Sequence, residues 1–255
     1  MRPPRPGNDS GRVPPNGQPA EVRVALLLGD LLGRLAALVL RHIDAECRLV
    51  RSHEELRSLI AAWHPEVVLA DIDRFEHAPE WVAGEPGTHI ACIGLTRRRD
   101  ISVKLAAFER GVTDVIEVPF TPDEIVVRTM AAVARSRDGE PRPRVRPRVR
   151  VGIVEMDLTT PGVRLAGELL RLSPLEHTLF YLFLAHPNEI LTRESILANV
   201  WGSGSAITSN VIDRHIRDLR VKLRESWKSP KFIETIPGAG YRFIGASGEA
   251  KSESA

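Results

Sequence analysis

Between residues 24 and 135 the chain alternates short apolar runs with amphipathic stretches, and few folds accept that alternation. VALLL (24–28), VVLA (67–70), HIACIGL (89–95) and VIEV (115–118) read as strands buried on both faces. The stretches LLGRLAALVLRHI (31–43), SHEELRSLIAAW (52–63), ISVKLAAFERG (101–111) and TPDEIVVRTMAAVAR (121–135) read as amphipathic helices. Two of them begin with capping-box sequences, Ser52 with Glu55 and Thr121 with Glu124, and the second has Pro122 at its first helical position. Strands alternating with helices at this spacing predict an α/β fold, a doubly wound parallel sheet with helices on both faces. In such sheets the chemistry sits at the carboxyl ends of the strands.

After residue 135 the pattern changes. At 255 residues the chain is too long for one ordinary domain and suits two. Prolines 141, 143 and 147 break helices and predict an extended Arg/Pro-rich linker over 136–149. Residues 149–157, 163–166 and 169–172 read as short antiparallel strands, the last two joined at Gly167. Ser173-Pro174-Leu175-Glu176 is a capping box that opens a helix over 174–185, and Thr192 opens a second, to about Trp201. Ser209 is placed to cap a third, to about Glu225. KFIETIPGAGYRFIG then reads as a hairpin turning at 237–240. Three helices and a hairpin make a winged helix-turn-helix. The expected domains are 21–135 and 150–246, with disordered tails at 1–20 and 247–255.

The net charge of +2 hides segregation. Residues 21–134 hold 13 Lys/Arg against 18 Asp/Glu, whereas 135–150 hold seven Arg against two acids and 208–242 eight Lys/Arg against four. An acidic half joined to a basic half points to a nucleic-acid partner for the second half. Two distant cysteines, Cys47 and Cys92, exclude a disulfide framework and give no zinc signature. No apolar run approaches 20 residues and the first twenty residues lack a signal peptide's apolar stretch, so a cytoplasmic protein without a membrane partner is expected. On the helix from 209 to 224, Val211, Ile212, Ile216, Leu219 and Leu223 form a core-facing stripe. Asn210, Arg214, Arg217, Asp218, Arg220 and Val221 are left to solvent or to a major groove, where arginine forks guanine. A salt-bridged surface helix is the plainer reading, with Asp213 paired to Arg217 and Asp218 to Lys222.

The stretches LSPLEHTLFYLFLAHP (172–187), LTRESILANVWG (191–202), NVIDRHIRDLRVKL (210–223) and ETIPGAGYRF (234–243) together resemble the effector domain of OmpR/PhoB-type response regulators. That resemblance implies Asn210, Arg214, His215, Arg217 and Arg220 on or beside DNA, and Thr235 and Tyr241 at its backbone. It also implies double-stranded DNA with repeated half-sites, a homodimer and RNA polymerase as partners. Asp218, where basic residues are common, and Pro237, where the wing often has Arg, depart from the family.

PEVVLAD (65–71), GLT (94–96) and GVTDVIEVPF (111–120) resemble a flavodoxin-like receiver domain of five strands and five helices. The resemblance makes Asp71 the phosphoacceptor candidate and Thr96 the pocket hydroxyl. Of the acidic pair that holds Mg²⁺ only Asp30 remains, so Asp30 and Asp71 are weak ligands for that ion and no cofactor is expected. Val118 stands where the family has a Lys, Val115 where it has an aromatic, and Asp73 lies nearby as a further oxygen source. Lys104, Asp114, Glu124 and Arg128 fall on the family's dimer face, with Lys104–Glu124 and Asp114–Arg128 as inter-subunit pairs and Ile125 or Leu105 as apolar contributors. The expected protein is a DNA-binding transcription regulator whose receiver dimerises without ordinary Asp phosphorylation, and not an enzyme. A receiver that obeys a histidine kinase, one that senses a ligand or partner protein, and a winged helix that no longer grips DNA stay open as alternatives.

Overall fold

The computed structural model describes residues 21–74, 90–137, 144–158, 163–202 and 210–245. Strands β1 (Arg23–Leu27), β2 (Glu46–Leu49), β3 (Val67–Asp71), β4 (Ala91–Thr96) and β5 (Asp114–Glu117) form one parallel sheet in the order β2-β1-β3-β4-β5. Helices α1 (Asp30–Leu40, continued by a 3-10 turn over Arg41–Ile43), α2 (His53–Trp63), α3 (Ile101–Glu109) and α4 (Pro122–Ser136) connect and cover it. Four of the five expected helices thus fall among the described residues, and residues 75–89 lie outside them. Side chains alternate between faces: Val24, Leu26, Leu28, Val67 and Leu69 pack with α1 and α4, and Ala25, Leu27, Val68 and Ala70 with α2. Burial on both sides is why these strands are written as unbroken apolar runs. Strand β2 was not legible as one, because Glu46, Cys47, Arg48 and Leu49 sit half-exposed at the sheet edge.

The helix starts differ in detail from their sequence signals. Ser52 Oγ accepts the Glu55 N–H at 3.1 Å, but the Glu55 carboxylate turns to the Arg51 N–H instead of closing the box. Thr121 makes no side-chain cap bond, because the Glu124 N–H donates to the Thr121 carbonyl at 3.1 Å, and the Glu124 carboxylate is held by Arg128. Pro122 and the acidic residues Asp123 and Glu124 of the first turn are what favour this helix start.

In the C-terminal half, β6 (Arg148–Val151), β7 (Val154–Asp157), β8 (Val163–Leu165) and β9 (Glu168–Leu170) form an antiparallel sheet. Gly152, at φ 59°, divides the expected single strand 149–157 into β6 and β7. Helix α5 (Pro174–Ala185) begins with a full capping box, Ser173 and Glu176 each accepting the other's backbone N–H, and is buried nearly all round. Strand β10 (Ile190–Thr192), α6 (Arg193–Val200), α7 (Asn210–Lys222), β11 (Ile233–Ile236) and β12 (Gly240–Phe243) follow, and the last sheet runs β10-β12-β11. Ser209, the expected cap of α7, lies outside the described residues, as do the tails and residues 138–143 of the linker. Gly240 has to be glycine: a Cβ there would sit 2.1 Å from the Leu191 carbonyl oxygen.

The two halves of the chain, on either side of the linker, dock on each other. One apolar cluster runs from β1, α1 and α4 into α5 and the wing. Arg34 of α1 grips Glu189 at 2.7 Å, and Thr178 of α5 bonds both backbone groups of Phe120. The Arg146 N–H donates to the His42 carbonyl, the Arg146 carbonyl lies 2.7 Å from His42 Nδ1, and the Arg146 guanidinium pairs with Asp44. The arginines at the end of the linker are therefore anchored, not a bare spacer.

Buried His42, His177 and His186 each keep one ring nitrogen without a hydrogen-bond partner among the described residues. Burial lowers the pKa of all three. Arg41 opposes protonation of His42, Lys222 that of His177 and Arg34 that of His186. Asp157, Asp123 with Glu176, and Glu189 with Asp30, respectively, favour it. A histidine whose native pKa is depressed leaves the unfolded chain binding more protons, so stability is present above the ordinary value and lost as pH falls through it. The melting temperature is expected to start falling as pH drops below the ordinary histidine value of about 6.5 and to keep falling toward the lowered native values. A flat profile over that range, read by circular dichroism, would remove this role.

Candidate functional site

Two sites follow from this architecture. The first lies at the carboxyl ends of β3 and β4. Asp71 closes β3 and is buried. Its carboxylate receives a two-pronged bond from Arg97, Nη1 to Oδ1 and Nη2 to Oδ2, both at 2.8 Å. Asp73 accepts the Arg97 backbone N–H at 2.8 Å, the Thr96 hydroxyl at 2.7 Å and Arg97 Nη1 at 3.3 Å. Although burial pulls against it, the hydrogen bonds and charges of Asp71 and Asp73 hold the Arg97 pKa above its ordinary value. Thr96 is thus in the pocket but gives its proton to Asp73. Asp30, expected beside Asp71, instead opens α1 with a half-exposed side chain 3.7 Å from Arg34 and 3.8 Å from His186. Val118 and Val115 carry no charge into the pocket.

A divalent ion does not fit this arrangement. Mg²⁺ demands several hard oxygen ligands at close to octahedral geometry. Here the two pocket carboxylates are already taken up by a guanidinium and by N–H and O–H donors, and Asp30 faces elsewhere. Among the described residues no group of three or more His, Cys, Asp or Glu is placed to hold a metal ion.

The second site is α7. Ile212, Ile216 and Leu219 are buried, while Asn210, Arg214 and Arg217 stand exposed. Among the described residues, Arg217 has only its neighbour Asp218, at 3.3 Å, as an ion partner. Half-buried His215 stacks on Trp201, ring centroids 6.1 Å apart at 27°, and burial followed by Arg214 lowers its pKa. Asp213 pairs with Arg193, not Arg217, and Lys222 with Glu176, not Asp218.

Three expected DNA contacts are drawn into the fold instead. Arg220 is buried, its guanidinium bonding the Ile233 carbonyl at 2.6 Å and Thr235 Oγ1 at 2.8 Å. This corrects its placement on the exposed face, and it also occupies the Thr235 hydroxyl. Tyr241 is buried with its hydroxyl donating to Asp213 and Arg193 lying over its ring, and burial followed by the Asp213 hydrogen bond pushes its pKa up to about 12.

The face of α3, β5 and α4 also differs from expectation. Arg128 bonds Asp114 at 2.8 Å and Glu124 at 3.0 Å within one chain, and Lys104 pairs with Glu117 of β5 instead of Glu124. Ile125 is fully buried, so the exposed apolar surface comes from Ile101, Leu105 and Phe108 on α3 and Val127 on α4.

The profile described as "Transcriptional regulatory protein, C terminal" matches residues 167–243. The phosphate regulon transcriptional regulatory protein PhoB of Pseudomonas aeruginosa is 28% identical over 214 residues, covering 82% of this chain and 91% of that protein. The DNA-binding response regulator MtrA of Mycolicibacterium smegmatis is 25% identical over 221 residues, covering 83% and 91%. PhoB of Escherichia coli is 31% identical over 159 residues, which span 60% of this chain and 65% of that protein. Residues 167–243 thus carry a transcriptional regulatory C-terminal domain, and most of the chain is similar to the response regulators PhoB and MtrA.

The matched residues run from β9 through β12 and so contain the whole winged helix of α5, α6, α7 and the final hairpin. Among the described residues no helix is long and apolar enough to cross a membrane. Burial pushes the thiols of half-buried Cys47 and buried Cys92 up to about 12, which leaves both protonated and unreactive at neutral pH. The residue that sequence reading missed is Arg97. Its signal was the run Arg97-Arg98-Arg99 directly after Thr96, beside a pocket whose expected Lys is absent.

Proposed function

We propose that this regulator sits in the cytoplasm, binds repeated half-sites of double-stranded DNA as a homodimer, engages RNA polymerase there, and does not need Asp71 phosphorylation to do so. The observation that carries the reading is the Arg97 fork on Asp71, which neutralises the carboxylate an incoming phosphoryl group would have to reach. Asn210, Arg214 and Arg217, with the edge of His215, are the side chains left to read bases and phosphates. Ile101, Leu105 and Phe108 lie at i, i+4 and i+7 on α3, with Val127 beside them on α4, and form the apolar patch on which a second copy would dock. The ion pairs around Arg128 and Lys104 frame that patch and add little on their own, about 0–1 kcal/mol each when exposed.

The test is acetyl phosphate with Mg²⁺ on the purified protein, read by intact mass, with the dimer fraction from sedimentation alongside. No added mass and an unchanged dimer fraction are expected. A stable adduct on Asp71 that raises the dimer fraction would instead mean a phosphorylation-controlled regulator under a histidine kinase. Leu105→Glu with Phe108→Glu is expected to abolish the dimer while leaving the melting temperature within a few degrees.

A further inference from the structure

We propose that Arg97 is the resident cation of the receiver pocket and that, through it, the charge on Asp71 holds the winged-helix half against the receiver. The inference deepens the reading above, on which it rests. Arginine has donors in a rigid fork, and here they face three directions. Nη1 and Nη2 take Asp71, Nη1 also approaches Asp73, and Nε donates to the Asn199 carbonyl at 2.8 Å. Asn199 lies in the last turn of α6, where backbone carbonyls have no partner within the helix and where positive charge is favoured. Arg97 is therefore a C-terminal cap supplied to one domain by the other, with its guanidinium fixed by the acceptor carboxylate.

The two domains are in ordinary van der Waals contact around this bond. A Cβ on Gly29 would sit 3.4 Å from Asn199 Oδ1, and one on Gly202 the same distance from Arg97 Cδ. Beyond α6 the chain passes directly to Trp201, whose ring stacks on His215 of α7. The path from the receiver carboxylate to the DNA-reading helix thus consists of one ion pair, one helix end and one ring stack. Neutralising Asp71 removes the strongest partner of the guanidinium and loosens its hold on α6. Removing the Arg97 side chain leaves Asp71 without its guanidinium and Asp73 with its Thr96 and backbone N–H donors, so the pocket holds two carboxylates without the cation that offset them.

Hydrogen exchange and Mn²⁺ titration on the full chain test this, without DNA or phosphoryl donor, using Arg97→Lys, Arg97→Ala and Asp71→Asn. Lysine keeps the charge but cannot fork Asp71 and reach Asn199 at once. Peptides covering 193–202 are expected to exchange at least tenfold faster in all three variants, with β1 and β3 unchanged as a check on folding. Arg97→Ala is expected to bind Mn²⁺ at least tenfold more tightly than the unaltered chain. If Arg97→Ala does not fold, the other two variants decide. Unchanged exchange over 193–202, or equal Mn²⁺ affinity with and without Arg97, would overturn the proposal. Acetyl-phosphate labelling with exchange behaving as expected would overturn only the phosphorylation reading.

Discussion

A chain carrying Arg220→Ala should melt well below the unaltered protein, before any question of DNA arises. Arg220 lies on α7 between the buried face and the wing. Its guanidinium bonds the Ile233 carbonyl at 2.6 Å and Thr235 Oγ1 at 2.8 Å, and stands 3.8 Å from the Glu225 carboxylate. The Glu225 side chain is fully buried and accepts the backbone N–H groups of Lys231 at 2.8 Å, Phe232 at 2.6 Å and Ile233 at 3.1 Å. Taking away the guanidinium leaves a buried carboxylate without its countercharge and a β11 carbonyl without its donor. Breaking a buried pair from one side costs about 3–5 kcal/mol, a large share of a typical stability of about 5–15 kcal/mol. In a chain of this size that lowers the melting temperature by about 6–20 °C. Circular dichroism melts decide it. An Arg220→Ala protein with an unchanged melting temperature and weakened DNA binding would return Arg220 to the DNA face where the sequence first placed it.

That misplacement shows what a linear pattern can and cannot carry. The parallel sheet was legible because strands covered on both faces record their burial as uninterrupted apolar runs. The wing was legible because Gly238, at φ 73°, and Gly240, against the Leu191 backbone, can hardly be anything else. Arg220 was not, although it stands four residues after Ile216 and so borders the buried stripe. Its partners lie 13 and 15 residues away on β11, and nothing local signals a carbonyl waiting there. Arg97 escaped for a related reason. A pocket needs a cation, but any element bordering it can supply one, and the expected position on the fifth strand holds Val118. Thr121 and Glu124 form a correct capping-box pair on paper, yet Arg128 competes for the carboxylate. The ion pairs assigned between subunits closed within one chain because Asp114, Glu124 and Arg128 already lie within reach of each other. Short-range periodicity survives translation into structure, whereas the choice among charged partners is settled by tertiary packing.

The largest effect on DNA binding should come from Arg214→Ala combined with Arg217→Ala. Both residues are exposed on α7, one turn apart, on the side opposite Ile212, Ile216 and Leu219. Among the described residues Arg217 holds no partner stronger than its sequence neighbour Asp218, so its truncation is expected to move the melting temperature by no more than a degree or two. An arginine that forks guanine is worth about 1–3 kcal/mol, or about 5- to 150-fold in affinity for each residue. If one of the two binds a phosphate instead, its loss lowers affinity evenly across sequences and cuts the salt slope by about one. Duplexes selected by the protein from a random pool, titrated beside a random-sequence duplex at several salt concentrations, separate these roles. A guanine reader loses the selected duplex and spares the random one, while a phosphate contact weakens both together. Affinities and salt slopes that both stayed put in the double variant would mean that α7 does not face the groove. The basic excess of residues 208–242 would then be a solvated surface, and DNA contact would have to be sought on another face of the winged helix.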